Sequence, residues 1–288
     1  MKRGWIAWDP SELPRAAFDA RLAAARQHLA ANGLPALAVY TDIWRSNQVR
    51  HFSNFMPYWN RALLVIPRED PPVLLCALSP RVYPWIRSVT ILDEILPSPN
   101  LAARLLQLGS ERGWARIGAL DFAQFPVDLH TALAGAVVDV SFPMEPDEWE
   151  LAMYRHAAKL GREGLEDELA GAAGLTDRQF TGRLERKFRR AGAEDLIILL
   201  TNGQTPPAPA RGEILSQLFS VSLALEYRGH WVKLARSAVG PVPDRPRDAF
   251  CETLCGPLFA VRWEIARDGR RLFYGDSYRA TAHGPELL

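Results

Sequence analysis

The chain has 288 residues, 48% hydrophobic and 23% charged, which is the balance of a soluble globular protein longer than the usual single domain. A formal net charge of +1 argues against nucleic acid or an anionic membrane surface as a partner, since either would select a strongly basic protein. Cys76, Cys251 and Cys255 are an odd count with no disulfide framework, no apolar run is long enough to cross a bilayer, and MKRGWIAWDP lacks an export-type apolar stretch, so a cytoplasmic location is expected.

Residues 11–33 predict a helix, with Ser11 as N-cap, Leu22, Ala25, Leu29 and Ala30 on one stripe, and Gly33 as terminator. LPALAVY (34–40) predicts a short buried strand, and 61–70 and 71–78 predict two more, parted by a charged turn with paired prolines. A helix follows at 99–113, a strand at 115–120, a second helix at 127–133 and a strand at 136–140. This alternation predicts an α/β layer. The proline- and acid-rich segment 141–150 reads as the domain boundary, giving an α/β domain over 1–145 and an α+β domain over 146–288. The second domain opens with a long helix whose first turn carries acids, with a break expected near Gly161 or Gly164. A capping start at Thr176 and Gln179 precedes a helix with Phe180, Leu184 and Phe188 on one face. Its basic run, 183–190, reads as a solvated surface. Strands follow: DLIILLT, QLFSVSLALEYRG, HWVKLARSAVG, GPLFAVRWEIARDG and RRLFYGDSYRATAHG, which predict a curved, mostly antiparallel sheet.

Three segments carry a family likeness. RLAAARQHLAANGLPALAVYT with VRHFSNFMPYWNRALLVIP resembles the N-terminal domain of creatinase and aminopeptidase P. EYRGHWVKLARSAVG resembles the first hairpin of the pita-bread catalytic domain, and YGDSYRATAHGPELL resembles its closing strand. The resemblance implies a creatinase-like N-terminal domain followed by a shortened pita-bread domain. Active members of that family hold two divalent metals with two Asp, one His and two Glu, because hard cations need several anionic oxygens. Aligning Gly229 and Arg236 with the family hairpin puts Lys233 at the second Asp and Ser222 at the first. Arg262, with Glu264 two residues on, falls at one Glu, and Gly275 falls at the last, beside Asp276. The interval 241–255 contains no histidine where the family carries a helical pair and its catalytic histidines. The resemblance therefore implies a degenerate member with no metal, no other cofactor and no metallopeptidase activity.

Several residues have both a chemical and a structural reading. His230 is a candidate general base, or a packing residue in place of the family's usual Tyr. Lys233 is a base or amine nucleophile if it lacks a full partner, or half of an ion pair if Glu264 or Glu226 reaches it. In HFSNFMPYWNR (51–61), the resemblance to creatinase-like dimers implies that Arg61 can hold a substrate carboxylate in the partner's active site, while the residues themselves also allow an aromatic plug at a dimer interface. Cys251 and Cys255, spaced CxxxC with no second pair of ligands, read as half-buried thiols in a loop or short helix rather than a zinc site.

Together these give a metal-independent, creatinase-like enzyme for a small amide, guanidino or amino-acid-like compound. His230, Lys233 and Glu264 are its candidate catalytic residues, and Arg61, His51, Arg236 and Tyr227 its candidate substrate-binding residues. The alternative is an inactive pita-bread protein that pairs with an active paralogue or binds a ligand. A homodimer, or a heterodimer with such a paralogue, is the expected assembly. The apolar strands LFSVSLAL and LFAVRWEI need cover, either from another chain or from an apolar ligand.

Overall fold

The computed structural model describes residues 7–203, 206–238, 242–246 and 249–288, and the chain divides after Met144 into two compact units. In the first unit the elements run α1 (Arg15–Ala31), β1 (Ala36–Asp42), α2 (Asn47–Ser53), β2 (Arg61–Pro67), β3 (Val73–Cys76), α3 (Tyr83–Val89) and β4 (Glu94–Pro97). They continue with α4 (Leu101–Glu111), β5 (Ile117–Leu120), α5 (Val127–Leu133) and β6 (Val137–Val140). The six strands form one mixed sheet in the order β4-β3-β2-β1-β5-β6.

Both faces of this sheet are covered, which explains its near-continuous apolar strands. Leu37, Val39, Leu64 and Ile66 pack with Phe18 and Leu22 of α1 and Phe52 of α2. Ala36, Ala38, Leu63 and Val65 pack with Leu105 of α4 and Leu133 of α5 on the other side. Helix α1 starts later than its stripe predicts: its N-cap is Pro14, with no side-chain cap, and Ser11 donates to Asp9 instead. Ala30 is exposed rather than on the buried stripe, and Gly33 closes the helix at φ +64°.

The second unit opens with α6 (Glu148–Leu169) and α7 (Asp177–Arg190). Asp147 caps α6, and Thr176 with Gln179 forms a complete capping box on α7. Helix α6 runs unbroken through Gly161 and Gly164, contrary to the break expected there. These glycines serve close packing: a Cβ at Gly161 would lie 2.4 Å from Leu234 Cδ1, and one at Gly164 2.2 Å from Phe188 Cε1. Behind the helices lies an antiparallel sheet of β7 (Asp195–Thr201), β8 (Ser220–Tyr227), β9 (His230–Ser237), β10 (Phe250–Cys255), β11 (Leu258–Arg267), β12 (Arg270–Thr281) and β13 (Gly284–Leu287). Six strands follow the order β10-β11-β12-β9-β8-β7, and β13 pairs with β12.

Strand β10 corrects the expectation of a loop or short helix at the two cysteines. FCETLC pairs antiparallel with β11, leaving Cys251 exposed and Cys255 partly so. The helix-side face of β11 and β12 is an apolar cluster of Val261, Trp263, Leu272 and Tyr274, packed with Leu218 and Ala249 of the same chain. Arg245 adds its guanidinium over the Tyr278 ring. Connecting segments thus cover a face for which the sequence predicted a partner or a ligand.

Candidate functional site

Strand alternation sends Val221, Leu223, Val232 and Leu234 toward α6 and α7, and their neighbours to the opposite face. On that opposite face one row of directly paired residues crosses six strands: Leu199, Ser222, Ala235, Gly275, Arg262 and Phe250. The two central members are small, so the row sinks between its ends. A cavity of about 200 Å³ occupies this depression, with Ile197, Lys233 and Glu252 also in its wall.

The seam under the cavity is loosely laddered, since β9 and β12 share a single pair, Ala235 with Gly275. Serine side chains replace the missing ladder bonds. Ser277 Oγ accepts from the Lys233 amide at 2.9 Å and donates to the Lys233 carbonyl at 3.0 Å. Ser220 Oγ accepts from the Phe273 amide at 2.9 Å, and Ser237 Oγ donates to the Phe273 carbonyl at 3.2 Å. These bonds hold the backbone of Lys233 and leave its side chain in the wall. Lys233 Nζ lies 2.5 Å from Glu252 Oε1, and both side chains are roughly two-fifths exposed. Arg262 lays its guanidinium over Phe250, 5.5 Å from the ring centroid. Ser222 Oγ is buried and has no hydrogen-bond partner among the described residues.

Compared with solved structures, the fold matches Xaa-Pro dipeptidase from Bacillus anthracis with TM-score 0.66 and 13% identity, over 94% of this chain and 97% of that chain. It matches prolidase from Thermococcus sibiricus with TM-score 0.68 and 12% identity, over 94% and 96%. It also matches a variant of aminopeptidase P from Escherichia coli with TM-score 0.64 and 13% identity, over 95% and 94%. The chain has the pita-bread fold. No protein-family profile and no curated protein matches the sequence.

In this pita-bread sheet, the four positions assigned from the resemblance to metal-binding carboxylates, Ser222, Lys233, Arg262 and Gly275, all line the one cavity. They do not fit the two divalent metals given above for active members of the resembled family. A divalent cation needs several carboxylate oxygens, whereas these positions offer a hydroxyl, an ammonium, a guanidinium and no side chain. Among the described residues, no group of three or more His, Cys, Asp or Glu could hold a metal. Gly275 also lacks room for a carboxylate, because a Cβ there would lie 2.7 Å from the Val261 carbonyl oxygen.

Of the candidate catalytic and substrate-binding residues in this unit, the cavity receives Lys233. His230 lies on the helix side, almost fully buried, with its ring 4.7 Å from that of Tyr154 and Nε2 3.6 Å from Glu150. Tyr227 is also on that side, against the ring of His156. Arg236 points away from the cavity too: Nη2 pairs with Asp276 at 2.6 Å, and Nη1 donates to the carbonyls of Gly275 and Ala235. Glu264 shares the cavity's face but stands two rows from Lys233, roughly 13 Å along the strands. It binds Arg271 through both oxygens at 2.6 Å, and that bidentate hydrogen bond holds its carboxyl below the usual range. In the first unit, Arg61 pairs with Asp128 at 2.7 Å, and His51 packs edge-on against Phe52.

Neither Glu264 nor Glu226 is the partner of Lys233. Glu226 pairs in register with Trp231 at the far end of β8. Glu252 takes that place, and the loop or short helix expected at Cys251 and Cys255 hides it. The alternation of FCETLC, with Phe250 and Glu252 on one side, was the available signal.

Proposed function

We propose that this protein uses a shortened pita-bread domain, residues 145–288, to bind a small molecule, without metallopeptidase chemistry. The observation that carries the reading is the set Ser222, Lys233, Arg262 and Gly275 in the wall of one cavity, where the resemblance implies carboxylates. A hydroxyl and two cations favour organic ligands over a dication, and the apolar surround favours a ligand with an apolar body. The test combines native mass spectrometry and elemental analysis with an assay on Xaa-Pro dipeptides in the presence of manganese or cobalt. A metal-free chain that retains a small molecule and leaves the dipeptides intact supports the proposal. Metal-dependent hydrolysis abolished by a chelator defeats it.

A second reading keeps catalysis, and the Lys233–Glu252 contact favours it. An ammonium 2.5 Å from a carboxylate is a proton donor and acceptor in hydrogen-bond reach of each other, suited to a small amide or guanidino compound handled in the creatinase manner. Turnover of the retained molecule by the metal-free protein, lost in Lys233→Met, would separate this reading from simple binding. The native mass also decides whether the chain is a homodimer or needs a different subunit.

A further inference from the structure

We infer that the cavity selects a small monoanion with an apolar body, a carboxylate whose head group lies between Arg262 and Lys233. The inference rests on the reading of this cavity as a binding site and adds the chemistry of its ligand.

Charge balance comes first. Among the described residues lining the cavity, Lys233 and Arg262 are cations and Glu252 is the carboxylate; Glu264, two residues from Arg262 on the same face, is engaged by both oxygens with Arg271, so one positive charge of the lining has no carboxylate of its own. Lys233 is already matched by Glu252. Arg262 makes no ion pair among the described residues and rests on the ring of Phe250, which leaves the edge of its guanidinium open to a carboxylate. Arginine on an aromatic ring, with its fork free, is a geometry that takes an oxyanion such as a carboxylate bidentately and repels cations.

The lining then sets the rest of the ligand. Between Arg262 and Ser222 the row holds Gly275 and Ala235, and Ile197 and Leu199 continue the floor. This surface offers no hydrogen bonds to a polar chain, and Ile197 and Phe250 are more than half exposed. An aliphatic body covering them removes apolar area from water. Beyond Ala235 in the row, Ser222 Oγ has no hydrogen-bond partner among the described residues, an independent sign of a site built for a ligand atom. A carboxylate bearing an oxo or hydroxyl group on its body would satisfy it.

The probes are 4-methylpentanoate, its neutral amide and the matching amine, titrated calorimetrically into the full-length chain. The expected result is that the carboxylate binds on the order of tenfold tighter than the amide, and that the amine does not bind. Arg262 is exposed, so Arg262→Met should fold, and it should bring the carboxylate down to the affinity of the amide. Equal binding of carboxylate and amide overturns the selection for an anion while leaving the cavity as a binding site. Failure of all three probes overturns both. If Arg262→Met instead changes the native mass, the occupant of the cavity is another chain, and the inference falls.

Discussion

Arg236 and Asp276 meet at 2.6 Å behind the cavity floor, with both side chains more than nine-tenths buried. They neighbour Ala235 and Gly275, the two small residues of that floor, and Arg162 of α6 reaches the other oxygen of Asp276 at 3.1 Å. One carboxylate thus joins helix α6 to the seam between β9 and β12. Removing one partner of a buried pair costs about 3–5 kcal/mol because a charge is left stranded. Asp276→Ala strands two guanidinium groups and should reach that range in urea denaturation. Arg236→Met leaves Asp276 its bond to Arg162 and should cost less. The reverse order would contradict this account of the seam.

The glycines of α6 should rank by what their missing methyl would meet. Replacing an interior helical glycine with alanine normally gains about 1 kcal/mol in helix propensity. At Gly164 the added Cβ would enter the ring of Phe188, which is fully buried, so Gly164→Ala should lose roughly 1–3 kcal/mol by overpacking. At Gly161 the obstacle is the tip of Leu234, a flexible side chain, and the loss should be smaller. Thermal melts of the two variants check the ranking.

Gly275 should tolerate even less, because the obstacle is backbone. Its added Cβ would lie 2.7 Å from the Val261 carbonyl, inside the β11–β12 ladder. Gly275→Ala should destabilise by at least about 2 kcal/mol, as overpacking that forces a backbone shift does. Gly275→Glu should neither fold as well as the parent nor gain manganese affinity, which equilibrium dialysis would measure.

Asp177 should make stability depend on acid pH. Burial pushes its carboxyl up, but the amides of Arg211, Gly212, Glu213 and Arg178 outweigh that and hold it below its usual 3.8. A group depressed in the folded state contributes stability above its unfolded value and loses it as pH falls through the folded one. The parent should therefore lose part of its stability as pH drops below about 4. Asp177→Asn should be weaker at pH 7 and show a shallower decline, as urea midpoints at pH 7, 4 and 3 would reveal.

Local pattern carried the element reading a long way. The capping box at Thr176, the stripe of Phe180, Leu184 and Phe188, and the strands around Ser222 and Lys233 stand in the structure as the sequence predicts. Each depends on residues within a few positions of one another. Gly161 and Gly164 look like a break in a helix, and only the neighbouring Leu234 and Phe188 reveal them as packing contacts.

What the sequence by itself determined is the pattern of most elements, together with a hydroxyl, an ammonium, a guanidinium and a bare backbone at Ser222, Lys233, Arg262 and Gly275, where the resemblance implies carboxylates. Parity along a strand places Lys233 and Ala235 on one face and Arg236 on the other, because side chains alternate with period two. Which face meets the helices, and which partner each charge finds, depends on pairings between distant segments. Arg236 meets Asp276 across 40 positions, and Lys233 meets Glu252 through β10, a strand recognised by its pairing with β11. The tertiary structure decided these contacts because a burial-driven choice of face is made once for a whole strand, and it carries every charge on that strand with it.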